Sequence, residues 1–201
     1  MKQINNNAVS PVVGVMLMLV VTIIIAAVVS AFAGGLGGSQ QKTPQVTLAA
    51  EPIIQNIEGS YPGTHPSGWT AANGIEFENT GGDTFKLSDI NIQLEGNSNK
   101  YTITPADKIS SGTCLPNDIK SGGYFQKIGR SSASDTSISP GDKFMFYADN
   151  CYINSKGEKY LVWKPDGTSN GIGISFGGKA GYMIIDKDSS KVMSSGYVVF
   201  R

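Results

Sequence analysis

No charged residue lies between Lys2 and Lys42, and within that interval the run AVSPVVGVMLMLVVTIIIAAVVSAF, Ala8 to Phe32, is apolar almost throughout. From Val12 to Ala33 only Gly14, Thr22 and Ser30 are polar or helix-weakening. As one helix this stretch reaches about 33 Å, enough to cross a bilayer. A secretory hydrophobic region is shorter, roughly 7 to 15 residues, and ends at a small-residue cut. Here the small candidates Ala26, Ala27, Ala31 and Ala33 come only after more than a dozen apolar residues. Three readings stay open on these residues alone: a signal that is removed, a plain anchor, and a helix that both anchors and builds. Lys2 on the N-terminal flank places residues 1 to 8 in the cytoplasm and the remainder outside.

The chain beyond the run reads as a single domain. Gly34, Gly35, Gly37 and Gly38, then Ser39, Gln40, Gln41 and Pro44, break the helix and form a short joint. Past this joint apolar and polar residues alternate at Val46 and Leu48, Ile75 and Phe77, Ile90, Ile92 and Leu94, and Phe144 and Phe146, the period of strands with one buried face. Further strands are expected in KYLVW (159–163), GIGISF (171–176), GYMII (181–185) and KVMSSGYVVF (191–200). Turn chemistry separates them at TGGD (80–83), SPGD (139–142), KPDG (164–167) and FGG (176–178). Residues 55–72 and 104–139 read as long loops. The expected class is α+β, a long N-terminal hydrophobic α-helix followed by an all-β antiparallel sandwich or barrel-like head.

Chemistry is sparse. The 16 acidic and 16 basic side chains cancel and are scattered singly, so neither nucleic-acid binding nor an acidic tail is indicated. His65, the sole histidine, sits in PGTHPSG and reads as a solvated loop residue. No nucleophile motif accompanies it, and zinc lacks enough Cys and His ligands, so no catalytic residue, metal or cofactor is expected. Asp186 and Asp188 in DKDSS are spaced like calcium ligands but lack the glycine and distal glutamate of a calcium loop, and read as a turn. GGKAG (177–181) reads as a hairpin turn, and no N-linked sequon occurs. Cys114 and Cys151 are the only cysteines and both fall in the portion placed outside, where a disulfide between them is expected.

The opening AVSPVVGV, with the helix after it, closely resembles the amino-terminal segment of archaeal type IV pilins over about residues 8 to 38. FENTGGDTFKLSDINIQL and ISPGDKF in the head are similar to stretches common in such pilins. The resemblance implies that an archaeal prepilin peptidase removes a polar leader on the cytoplasmic side, that the helix is retained, and that copies of it pack in a filament core. In that family a charged residue followed by Gly or Ala precedes the cut. Asn7 stands in place of the charge and Ala8 takes the small position, which puts the cut between Ala8 and Val9, with a cut before Ala8 as the alternative. Pro11 fits the first helical turn after Ser10 as N-cap. Gly14, Ala26 and Ala27 are small enough for close helix approach, and Val21 lies mid-helix.

The organisation expected is therefore a leader at 1–8, a membrane and filament-core helix at 9–33, a joint at 34–44 and an extracellular head at 45–201. The implied function is a nonenzymatic pilin, adhesive and homopolymeric, whose partners are identical or related pilin subunits, the peptidase and assembly machinery, the membrane before assembly, and an unidentified surface receptor. The alternatives are an archaellin of a motility filament and a membrane-tethered extracellular binding or enzymatic domain.

Overall fold

The computed structural model describes residues 11–36, 42–55, 72–109, 115, 119, 123–130, 132, 134–165 and 171–201. The chain divides into two units, Met1–Gln41 and Lys42–Arg201. In the first, the apolar run forms helix α1, Pro11–Leu36. Pro11 is the first described residue of the helix. The helix continues past Ala33 through Gly34 and Gly35. Two glycines cost it about 1 kcal/mol each relative to alanine, too little to end a helix this long.

The second unit is built from strands β1 (Val46–Ile53), β2 (Gly74–Gly82), β3 (Phe85–Lys86), β4 (Ile90–Gly96), β5 (Asn99–Ile103), β6 (Phe125–Lys127), β7 (Ser137–Ile138), β8 (Lys143–Tyr147), β9 (Asn150–Ile153), β10 (Lys159–Trp163), β11 (Ile172–Ser175), β12 (Lys179–Asp186) and β13 (Val192–Val199). They form sheets in the orders β1-β2-β8-β6, β13-β12-β4-β5 and β11-β10-β9, with a small β3-β7 pair. Every pairing is antiparallel. The class is α+β with a β-rich head, as the alternation and turn residues predict.

One core joins the sheets. Phe77 of β2 stacks on Phe144 of β8 at 5.1 Å and meets Tyr182 of β12 edge-on at 5.1 Å, so the two four-stranded sheets share this contact. Trp163 of β10 stacks on Phe146 at 5.6 Å and brings the third sheet into the same cluster. Ile90, Ile92 and Leu94 are fully buried at alternate positions of β4, the period-two pattern fulfilled.

Two expectations change. β8 is buried on both faces: Phe144 and Phe146 enter the main core, while Met145 and Tyr147 pack with Leu115 in a second cluster. The segment read as a loop from 104 to 139 contributes two strands, because β6 pairs with β8 and β7 with β3. Of the other long stretch, residues 56–71, His65 included, lie outside the described residues.

Candidate assembly site

Helix α1 has no acidic residue in its first turn and no basic residue in its last, and Pro11–Ala33 is long and apolar enough to cross a membrane, with a mean hydropathy of 3.2. Its 23 residues would extend about 34 Å, against a hydrocarbon thickness of about 30 Å. None of this span is buried within the chain, and Val12, Met18 and Phe32 are each about two-thirds exposed. The one hydroxyl near its middle is satisfied internally: Thr22 Oγ1 donates to the carbonyl of Leu19 at 2.8 Å. The span therefore meets the demand that lipid or a packed bundle makes on a backbone and its polar side chains.

Pro11, Gly14, Val21, Ala26 and Ala27 all lie on this helix. At about 100° per residue Gly14 and Val21 share a face, Ala26 lies roughly 120° from Gly14, and Ala27 roughly 100° further round. The small residues do not form one seam. Close approach is open from several sides, and a Cβ added at Gly14 would meet nothing within 4 Å. The expected processing residues Ala8 and Val9 lie outside the described residues, as does Cys114.

Where the chain enters the head, local chemistry locks it. Thr43 is buried and its hydroxyl donates to Ser189 Oγ at 2.7 Å; the Gln45 N–H donates to Asp83 Oδ2 at 3.0 Å, and the Asp83 N–H returns to the Gln45 carbonyl at 2.8 Å. Gly82 has a φ of +103°, and a Cβ there would collide with the Gln45 carbonyl, so only glycine permits this approach. Asn79 is fully buried; its Oδ1 accepts from the Gly81 N–H and its Nδ2 donates to the Asp83 carbonyl. The Asn79 backbone exchanges bonds with Asp142 and Gly141. TGGD, expected as a turn, belongs to β2 as far as Gly82, and the end of FENTGGD meets the Ser139–Asp142 turn of ISPGDKF beside the entry point.

Around that assembly the charges are paired. Lys127 Nζ lies 2.9 Å from Asp142 and 3.6 Å from Asp135, and Lys143 Nζ lies 2.7 Å from Glu76 and 3.4 Å from Glu78. The Ser139 N–H and Lys127 hold the Asp142 carboxyl below its ordinary range. The Glu76 and Glu78 carboxylates raise the Lys143 ammonium. Lys127, Lys143, Glu76 and Glu78 lie on strands, while Asp135 and Asp142 lie between them.

Two further carboxylates are engaged in the fold. Asp149, fully buried, accepts the Tyr124 hydroxyl at 2.6 Å and the Lys164 N–H at 3.0 Å; burial pushes its carboxyl up to about 6. Asp186 accepts the Ser189 N–H at 2.8 Å, so one of its carboxylate oxygens is used inside the turn that the sequence predicts. Gly177 and Gly178 turn the chain, but Lys179, Ala180 and Gly181 belong to β12, so GGKAG is only in part a turn. Among the described residues no group of three His, Cys, Asp or Glu could hold a metal ion. Cys151 on β9 is fully buried, and no free cysteine occurs among the described residues.

The outward face of β12 and its neighbours, with the exposed Tyr197, is a surface that sequence reading passed over. The signal was present in SSGYVVF, where Tyr197 alternates with the buried Val198. Compared with known protein families, residues 7–48 match the family described as archaeal type IV pilin, N-terminal. No curated protein matches the chain.

Proposed function

We propose that this chain is the structural subunit of an archaeal type IV pilus-like surface filament that serves adhesion, a reading supported by the match of residues 7–48 to the archaeal type IV pilin N-terminal family. The observation that carries the reading is α1 itself: a span of 23 residues, apolar on every side and without a charge. Such a helix needs an apolar surround in every state. Lipid supplies it before assembly, and copies of the same helix supply it afterwards. The N-terminal end lies in the cytoplasm and the head outside.

In this reading an archaeal prepilin peptidase cuts between Ala8 and Val9, and the assembly machinery then transfers the retained helix from membrane to filament. Cys114 and Cys151 form a disulfide in the head. Its support is the placement of Leu115, which is buried against Met145 and Tyr147 on the strand that precedes β9. The chain next to Cys114 is thereby anchored near the start of the strand that holds Cys151.

Electron microscopy of purified surface appendages, labelled with antibody against the head, tests the function. The expected image is a filament decorated along its whole length. Label spread over the cell envelope, with no decorated filament, would mean that the helix only tethers the head.

A further inference from the structure

The outward face of the β13-β12-β4-β5 sheet carries a depression of about 260 Å³ whose lining includes Gln93, Glu95, Gly181, Met183, Ser195 and Tyr197. The strand register explains the hollow. Gly181 stands between Glu95 and Tyr197 on neighbouring strands, and Met183 stands between Gln93 and Ser195. Two rows of three residues cross the sheet, and the central residue of one row has no side chain. A Cβ at Gly181 would lie 3.4 Å from Tyr197 Cε1 and 3.7 Å from Glu95 Cβ, so that row is open only because the residue is glycine. Tyr197 is 70% exposed, and the Lys179 ammonium sits 3.8 Å from its ring centroid. Gln93 Nε2 donates to Thr102 Oγ1 at 2.9 Å, which pins the amide at the rim.

The chemistry of this hollow narrows its occupant. Both edges of β12 and of β4 are already paired, so an added peptide strand cannot dock at the floor. The rim carries a carboxylate, an amide and a hydroxyl, a mixture of donors and acceptors, while the Lys179 ammonium lies over the Tyr197 ring and outside the lining. Glu95 is balanced by Lys100 at 3.2 Å, an exposed bridge that rearranges at little cost. The apolar surfaces are the exposed Tyr197 ring and Met183, with the buried Tyr182 beneath, and the volume is below that of a drug-sized site. A ligand that fits presents a small apolar C–H face ringed by hydroxyl groups.

The geometry points to a binding site for one neutral six-membered sugar ring of a surface polysaccharide, with its C–H face on Tyr197 and Met183 and its hydroxyls on Glu95, Gln93 and Ser195. This rests on the reading of the chain as an adhesive filament subunit, and gives that adhesion a ligand class and a place on the head. Tyr197 supplies the stacking surface, and the bare Gly181 supplies the room.

Saturation-transfer NMR tests this on the full chain in micelles of a detergent without a sugar headgroup, using the methyl glycosides of glucose, galactose, mannose and N-acetylglucosamine at millimolar concentration. At least one glycoside is expected to receive saturation, strongest at its ring C–H protons. Tyr197→Ala and Gly181→Val should each reduce the signal at least tenfold, whereas Tyr197→Phe, which keeps the ring, should retain it. No signal from any of the four, or equal signal in both disabling variants, overturns the site. Filament formation by Tyr197→Ala is scored in parallel by electron microscopy. Normal filaments support a ligand site, and loss of filaments with the micellar chain still folded places this face between copies and overturns it. If the unaltered chain binds a glycoside with this mutational pattern but forms no filaments, the sugar site stands and the filament reading falls.

Discussion

Asp149 has no solvent around it and keeps its carboxylate only through the hydroxyl of Tyr124 and backbone N–H groups. Burial outweighs those bonds, so the folded state holds the proton up to about pH 6, compared with an unfolded value of about 3.9. A folded pKa raised in this way gives stability that is complete below about pH 4 and is lost as pH rises through about 6, on the order of 3 kcal/mol in all. The lowered carboxyls of Asp142 and Glu158 act in the opposite direction, and their loss falls below that window. The denaturation midpoint of the head should therefore rise as pH is lowered from 7 to 5, and Asp149→Asn should flatten the rise; an unchanged slope in the variant would contradict this assignment. Packing makes a second claim at this scale. Phe77→Ala removes a fully buried ring that touches both Phe144 and Tyr182, and should cost about 3 to 5 kcal/mol in urea unfolding. Val192→Ala, at a half-exposed position on the edge strand β13, should stay within about 0.5 kcal/mol.

Among the elements, those whose partners repeat a simple local pattern were legible. α1 follows from composition alone, and β4 follows from Ile90, Ile92 and Leu94 because one face of that strand meets the core. β8 shows where the period fails: Met145 and Tyr147 are covered by Leu115, which is thirty residues upstream of Met145, and nothing in KFMFY announces that cover. β6 is three residues long and is held by pairing with β8, so no local period announces it. β5 turns back from β4 through Asn97 and Ser98, both at positive φ, a tight hairpin written without the usual glycine. The sugar-sized hollow was illegible because its rows come from three strands that the sequence keeps about ninety residues apart at the widest step. The processing residues and the disulfide rest on resemblance and compartment. Intact-mass measurement of the surface form should give a chain that starts at Val9, and a start beyond Ala31 would mean ordinary secretion. A non-reducing peptide map should recover Cys114 linked to Cys151. Cys151→Ser should then lower head stability by about 4 kcal/mol, as expected for opening a loop of about 37 residues; both cysteines recovered as free thiols would contradict the pairing.

At the scale of the whole molecule the two units divide the work. The head closes its own core, locks the incoming chain at Thr43, Gln45 and Gly82, and has no need of the helix for its packing. The helix is apolar on every side and so requires an apolar surround. That asymmetry predicts that assembly and folding separate. An aspartate at Val21, in the middle of the span, costs about 2.5 to 3.5 kcal/mol on insertion scales, and in a filament the penalty recurs in every subunit. The most direct measurement is electron microscopy of filaments from cells making Val21→Asp, with membrane-bound and polymerised protein scored separately, beside a chain that begins near Lys42. The account predicts a folded head in both, no filaments from the substituted chain even where it reaches the membrane, and a soluble monomer from the shortened one. Normal filaments from Val21→Asp, or polymerisation of the head alone, would contradict it.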